Sequence, residues 1–339
     1  MMGVTGVNQN YGIYFVALFL SFISFAWITF WSYTANGVVQ TFGGAGGQSN
    51  YYDGCDGDNT TCGSNGTSYY MILLVFSLYW TSVVLMNITQ TTVAGLMGTW
   101  CFDKESASKC CSNAVSSSLY RACTYSFGSI CFGSLLNAII MVLRYIVRQA
   151  EQNRDNDNLA CTIILCITQC ILAIIENIIE YFNRWAYIFV GVYGMSYLES
   201  GKAVLELFEA RGLTAIISDD LSSSVLTSIT LFSGLCAGII GVGINGHFGG
   251  AFFFGDTAES YKAMPFWIAF LAGVVISSIM MSVIQGAVKT IIVCYADNPN
   301  KLLENHREET TKMTEAWKSV YPNVSFYSSM VTEHPVVNA

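Results

Sequence analysis

Glu176, Glu180 and Arg184 follow one another at i, i+4 and i+8 where a long apolar run ends. That spacing stacks all three on one face of a helix. Charges at the edge of a bilayer-length helix are rare and have structural or functional partners, so two chemistries are open. In the first, Glu180 and Arg184 pair within the helix and snorkel to the membrane interface. In the second, Glu176, the deeper carboxylate, is the counter-charge or proton acceptor for a transported cation, with Glu180 and Arg184 as its gating or charge partners.

Two other groups of residues bear on the same question. Asn87, Thr89, Gln90, Thr91 and Thr92 interrupt an otherwise apolar stretch, and buried polar groups in lipid need partners. They line a solute path or hydrogen-bond across helices. Trp27 and Trp31 share a face at i, i+4, and Tyr79 and Trp80 open the next apolar run. A quaternary ammonium has no donors and is held by aromatic faces. Trp31 and Tyr33, near a span end, fit an interfacial aromatic belt, whereas Trp27 and Trp80 lie deeper and are the candidates for solute contact.

Other chemistries find no support. The 12 cysteines are scattered and there are 3 histidines, with no zinc-site spacing, so neither a metal nor a cofactor is expected. No Ser/His/Asp or Cys/His set stands in catalytic order, so an enzyme is not expected; His247 reads as a satisfied interfacial residue. Gly241-Val242-Gly243-Ile244-Asn245-Gly246 matches a dinucleotide fingerprint but lies inside an apolar run with no preceding strand. With Gly234 and Gly238 it instead thins a helix for close packing. A formal charge of −8 argues against nucleic-acid binding.

The elements that must position these residues are transmembrane helices. The 339 residues are 53% hydrophobic and 11% charged, against about 25% charged in soluble domains. Six crossings are expected, over 11–34, 69–100, 122–143, 159–181, 221–248 and 265–288, about 20 apolar residues being enough for each. The segment 35–68 has Asp53, Asp56 and Asp58 but no Lys or Arg, which places it outside the cell. Its sequons make Asn59 and Asn65 glycosylation candidates, and Cys55 and Cys62 could close a small disulfide loop. Lys104, Lys109 and Arg121 mark an inner loop, where Cys110 and Cys111 are palmitoylation sites or buried thiols. Arg144, Arg148 and Arg154 then fall in an outer loop, against the charge rule. Segment 185–198 is too short to span comfortably and 201–212 alternates apolar and charged residues, so 183–220 is expected as a cytosolic interfacial segment. The expected architecture is all-α and polytopic: a transmembrane domain over 1–298 and a cytosolic tail over 299–339, the chain being polar and flexible from Lys289 on, with both termini inside.

Four stretches in order resemble the choline transporter-like proteins. The run Thr91-Thr92-Val93-Ala94-Gly95, with Trp80 before and Trp100 after, is similar to the family's signature helix. Arg121 followed by Tyr125-Ser126-Phe127-Gly128-Ser129-Ile130-Cys131-Phe132-Gly133-Ser134 is a second match. Glu176, Asn183, Ala186-Tyr187 and Ser200-Gly201-Lys202-Ala203 form a third, and Thr290-Ile291-Ile292-Val293-Cys294-Tyr295-Ala296-Asp297 a fourth. The match covers 69–299 and resembles the C-terminal part of longer members. Two departures stand out: Lys289 where the family has an acidic residue, and Val83 where some members have a Glu. The resemblance implies a plasma-membrane carrier of choline or a related organic cation working by alternating access, with Trp27, Trp80, Gln90, Thr92 and Glu176 around the solute. The alternative from another class is a non-transporting membrane scaffold or channel subunit.

Overall fold

In the computed structural model the described residues, 2–42, 64–107, 113–152, 159–211, 221–247 and 264–320, form eleven α-helices and no strand. They are α1 (Met2–Gln9), α2 (Gly12–Phe42), α3 (Ser64–Phe102), α4 (Asn113–Cys123), α5 (Phe127–Gln152), α6 (Leu159–Tyr193), α7 (Tyr197–Arg211), α8 (Leu221–His247), α9 (Met264–Asp297), α10 (Pro299–Asn305) and α11 (Arg307–Val320). Six of them, α2, α3, α5, α6, α8 and α9, carry apolar runs long enough to cross a bilayer. In lipid every backbone polar group must be satisfied within the segment, which is why these runs are helical throughout. The chain is an all-α polytopic membrane protein, as its composition predicts.

Several boundaries differ from expectation. The third long helix begins at Phe127, after a separate short α4, and continues to Gln152, so Arg144 and Arg148 lie on a helix and not in an outer loop. The fourth does not end near Tyr181: residues 185–193 are its last turns, and Trp185 to Val190 are buried. It stops where Gly194 takes a left-handed φ of 71° and donates its N–H to Val190 O at 3.0 Å, a conformation that glycine adopts without strain at a helix C-terminus. Only the following α7 remains from the expected surface segment. The sixth long helix runs past Val288 to Asp297, with Thr290 to Ala296 buried. Asn59, Cys55, Cys62, Cys110 and Cys111 lie outside the described residues; Asn65 falls in the first turn of α3.

Helix α3 is central, packing against α2, α5, α6 and α9. Helices α8 and α9 form the most extensive pair. Gly234, Gly238 and Gly241 recur along one face of α8, and a Cβ on them would meet Val274 at 2.4 Å, Phe266 at 2.6 Å and Ala269 at 2.4 Å. The glycine-rich run is therefore a packing surface, the closeness depending on the missing side chains.

One end of the bundle is closed by the short helices. Trp100, wholly buried near the end of α3, donates Nε1–H to Gln9 Oε1 at 2.7 Å and stacks on His306 with ring centroids 3.6 Å apart. His306 Nε2 donates to Trp100 O at 2.9 Å, and Asn305 Nδ2 to Cys101 O at 2.9 Å. Helix α11 adds Trp317 against Tyr295, centroids 5.3 Å apart, and buries Thr310 and Thr314. Residues 299–320 are thus an ordered helical cap and not the flexible tail expected.

Burial lowers the His306 pKa from its ordinary value, Lys104 acting in the same sense and the Trp100 carbonyl and Glu309 against it. A depressed histidine pKa means that the released cap takes up a proton the docked one does not. Cap stability is therefore full above about pH 6.5 and declines as pH falls below it. Amide hydrogen exchange over 299–320 is expected to accelerate between pH 7.5 and 5.5, and His306→Gln to remove most of that difference.

Candidate solute-binding site

A cavity of about 760 Å³ opens between α2, α3, α5, α6, α8 and α9. Its walls come from two matched stripes. On α6, Glu176, Glu180, Asn183 and Tyr187 line it at i, i+4, i+7 and i+11; on α9, Ser278, Ser282, Gln285 and Lys289 do so with the same intervals. Such spacing keeps each set on one helical face, so two otherwise apolar helices each turn their polar residues inward. Helix α3 adds Asn87, Thr89 and Gln90, and α2 adds Ser21 and Ser24. Gln285 Nε2 donates to Ser223 Oγ across α9 and α8.

Glu176 lies at the midpoint of α6, about 25 Å from either end at 1.5 Å per residue. It therefore sits in the middle of a long apolar helix and not where the apolar run ends. Its partner is Arg144 of α5, whose Nη1 bonds Glu176 Oε2. The pair accounts for Arg144, one of the three arginines that breach the charge rule: this residue answers a half-buried carboxylate. Glu180 and Arg184 make the i, i+4 ion pair expected within the helix, at 3.6 Å, and line the cavity beside Glu176. At that distance, with Glu180 two-thirds exposed, the pair is loosely held.

Asn183 is fixed from below. The hydroxyl of Tyr197, on α7, donates to Asn183 Oδ1, and burial pushes the Tyr197 pKa up to about 12, keeping that donor protonated. Tyr197 in turn packs against Phe182, Phe132 and Tyr187. Asn183 is 6% exposed, and its Nδ2 has no hydrogen-bond partner.

Of the residues expected around a solute, the structure brings Gln90, Glu176, Glu180 and Arg184 to one cavity. Trp27, Trp80 and Thr92 are not among its lining. Trp80 donates Nε1–H to Cys131 O at 3.2 Å, a clamp from α3 to α5, as Trp31 clamps α2 to Leu74 O of α3 at 2.7 Å. Buried indole N–H groups need such partners. Trp27 packs against Phe30 on its own helix. Thr92 is fully buried and returns its hydroxyl to Ile88 O at 2.7 Å. Both roles foreseen for the polar run of α3 occur side by side: Gln90 faces the cavity, while Asn87 also donates to Ser134 Oγ of α5 at 2.9 Å. An aromatic cage is not what lines this cavity, Tyr187 being the one aromatic among its described residues. The serines of α9, Asn183 as a contact and Arg144 as a partner were missed. Polar residues at i, i+4, i+7 and i+11 in an apolar run would have found the α9 stripe.

Six long apolar helices define an integral membrane protein, and the cavity between them is largely apolar with a few charged and polar side chains on its walls. Residues 2–300 match the family described as plasma-membrane choline transporter, and the chain belongs to that family. Membership supports a role in membrane transport. The chain is 30% identical over 325 residues to the Gibberella zeae protein named PNS1, covering 94% of this chain and 56% of that one. It is 34% identical over 240 residues to a CTL-like protein of Dictyostelium discoideum, covering 68% and 39% respectively. With Yarrowia lipolytica PNS1 it shares 35% over 190 residues, 55% of this chain and 33% of the relative. The chain spans about half the length, or less, of the curated relatives it matches.

Proposed function

We propose that the protein carries choline or a related organic cation across the plasma membrane by alternating access, with the cavity between α3, α6 and α9 as the solute site. The observation that carries this reading is the mid-span pair of carboxylates, Glu176 and Glu180, in one cavity with Gln90. Charge at membrane depth is costly and marks solute or ion pathways, and sites near the midplane of broken or polar helices are the habit of secondary carriers. Carboxylates here take the part assigned from sequence to aromatic faces. The capped end carries Lys104, Arg121, Lys202 and Lys301, which supports placing it, and both chain termini with it, in the cytosol.

Uptake of radiolabelled choline into proteoliposomes tests the proposal. Saturable uptake is expected, reduced about tenfold by Gln90→Ala, the loss of one polar contact worth about 1.4 kcal/mol. Trp80→Phe, which removes a helix clamp outside the cavity, is expected to change uptake less than threefold. Absence of saturable flux, or a Trp80→Phe loss exceeding that of Gln90→Ala, would sink the assignment.

A further inference from the structure

The cavity stops short of the capped end of the bundle. Its lining reaches Val93 on α3, Tyr187 on α6 and Lys289 on α9, and among the described residues it goes no further along those helices. Past these positions the same three helices are packed into one core: Ala94 to Gly98 of α3, Ile188 to Val190 of α6 and Thr290 to Ala296 of α9 are buried. Small residues bring the backbones close there. A Cβ on Gly98 would lie 3.1 Å from Val192 of α6, and one on Gly286 of α9 would lie 3.1 Å from Val93. A solute leaving the cavity toward the cap has to part this junction.

A single polar contact crosses its far side. Tyr193, the last residue of α6, donates its hydroxyl to Oδ2 of Asp297, the last residue of α9, at 2.7 Å. Tyr193 comes six residues after Tyr187 and Asp297 eight after Lys289, about 9 and 12 Å farther along at 1.5 Å per residue. The bond therefore ties the two helices whose polar stripes wall the cavity, just beyond the point where the cavity closes. The Tyr193 ring packs on Phe189 with centroids 4.8 Å apart, which keeps the hydroxyl in place. Tyr193 is also 37% exposed. Water can replace either partner at such a position, so the bond opens at small net cost. That suits a contact made and broken in turn better than a permanent clamp.

We propose that the packed junction of α3, α6 and α9 is the gate that shuts the cavity toward the capped end, and that the hydrogen bond from Tyr193 to Asp297 is its latch. This rests on the transport reading and adds the control of access to the same site. With the latch closed the cavity has no way out past the cap. When it opens, α9 is free to tilt away from α6, and the core beneath the cavity parts.

Two native thiols report the opening. Cys101 of α3 and Cys294 of α9 are neighbours in that core and both are wholly buried, whereas Cys123 on α4 is exposed. Buried thiols react only when the structure around them opens. Modification by N-ethylmaleimide of the full chain in lipid nanodiscs, followed residue by residue by mass spectrometry, is expected to be about fivefold faster at Cys101 and Cys294 in Tyr193→Phe, the effect of losing one hydrogen bond. Cys123 is expected to react at its wild-type rate. In an Asp297→Ala background, Tyr193→Phe is expected to add nothing further. Unchanged rates at Cys101 and Cys294, or an equal effect of Tyr193→Phe in both backgrounds, would overturn the latch. A tether then separates a gate from a merely structural contact. Joining Tyr193→Cys to Asp297→Cys with a cleavable bifunctional thiol reagent is expected to stop choline uptake into proteoliposomes, and reduction to restore it, with wild-type protein treated alike as the reference. Undiminished uptake through the tethered protein would overturn the gate. Absence of saturable choline uptake before tethering would overturn the transport reading, and the labelling rates would still decide the latch.

Discussion

Glu176→Gln is expected to abolish uptake and to destabilise the protein by about 3 kcal/mol, because it strands the Arg144 guanidinium at membrane depth. Both side chains are half-buried, 20% exposed for Glu176 and 33% for Arg144, so each charge is partly desolvated and leans on the other. Arg144→Met in the wild-type background is expected to cost a similar amount, and the double variant less than the sum, since a pair replaced by neutral groups leaves no orphan charge. Thermal unfolding in nanodiscs measures the stability difference, and proteoliposome uptake the function. If the two single substitutions proved additive, the ion pair would not be what holds α5 to α6.

Gly191→Val is expected to be the most damaging substitution away from the cavity. Helix α6 crosses α3 so closely there that a Cβ on Gly191 would lie 2.5 Å from Thr91 O and 2.8 Å from the Ala94 Cβ. Thr91 O is backbone and cannot rotate away, so relief requires moving one helix. Overpacking of this kind costs about 1–3 kcal/mol and displaces the helices that make the contact. Since α3 and α6 both carry cavity residues, the displacement reaches Gln90 and Glu176. The variant is expected to express poorly and, where it folds, to lose most uptake. Gly37→Val on α2, where a Cβ would meet nothing within 4 Å, is the matched control. Equal yields of folded protein from the two would refute the account, as judged by size-exclusion chromatography.

The six crossings were legible because length and hydropathy alone define them, and Glu176, Glu180 and Arg184 were legible because their spacing is a helical one. Helix ends were not. Lys289 reads as a membrane boundary in a linear sequence, yet α9 continues to Asp297 because that lysine faces an internal cavity and not lipid. Arg144 misled for the same reason: its partner is 32 positions away on the next helix. Trp27 and Trp80 stand on the expected helices but do not line the cavity. Helices apolar all round give no periodic signal for rotation about their axes, so which aromatics point inward is decided by tertiary contacts such as the bond from Trp80 to Cys131 O. The cap was missed because 299–320 is polar in composition; its burial depends on a few residues, Leu302, His306, Thr310 and Thr314, set at helical intervals.

The glycine-lined seam between α8 and α9 has a mechanical consequence. Among the described residues α8 makes extensive contact with α9 alone, and the interlocking at Gly234, Gly238 and Gly241 leaves no slack along it. A seam packed this closely couples the two helices, which are expected to move as a single stiff paddle. Any tilt of α9 against α3 swings α8 with it, and one small hinge at the Gly286–Val93 contact, where a Cβ would meet Val93 at 3.1 Å, would be geared into a large excursion at the paddle's far edge. Rocking of one bundle against another is how carriers expose a site alternately to each side. Here the moving part would be the wall that bears Lys289.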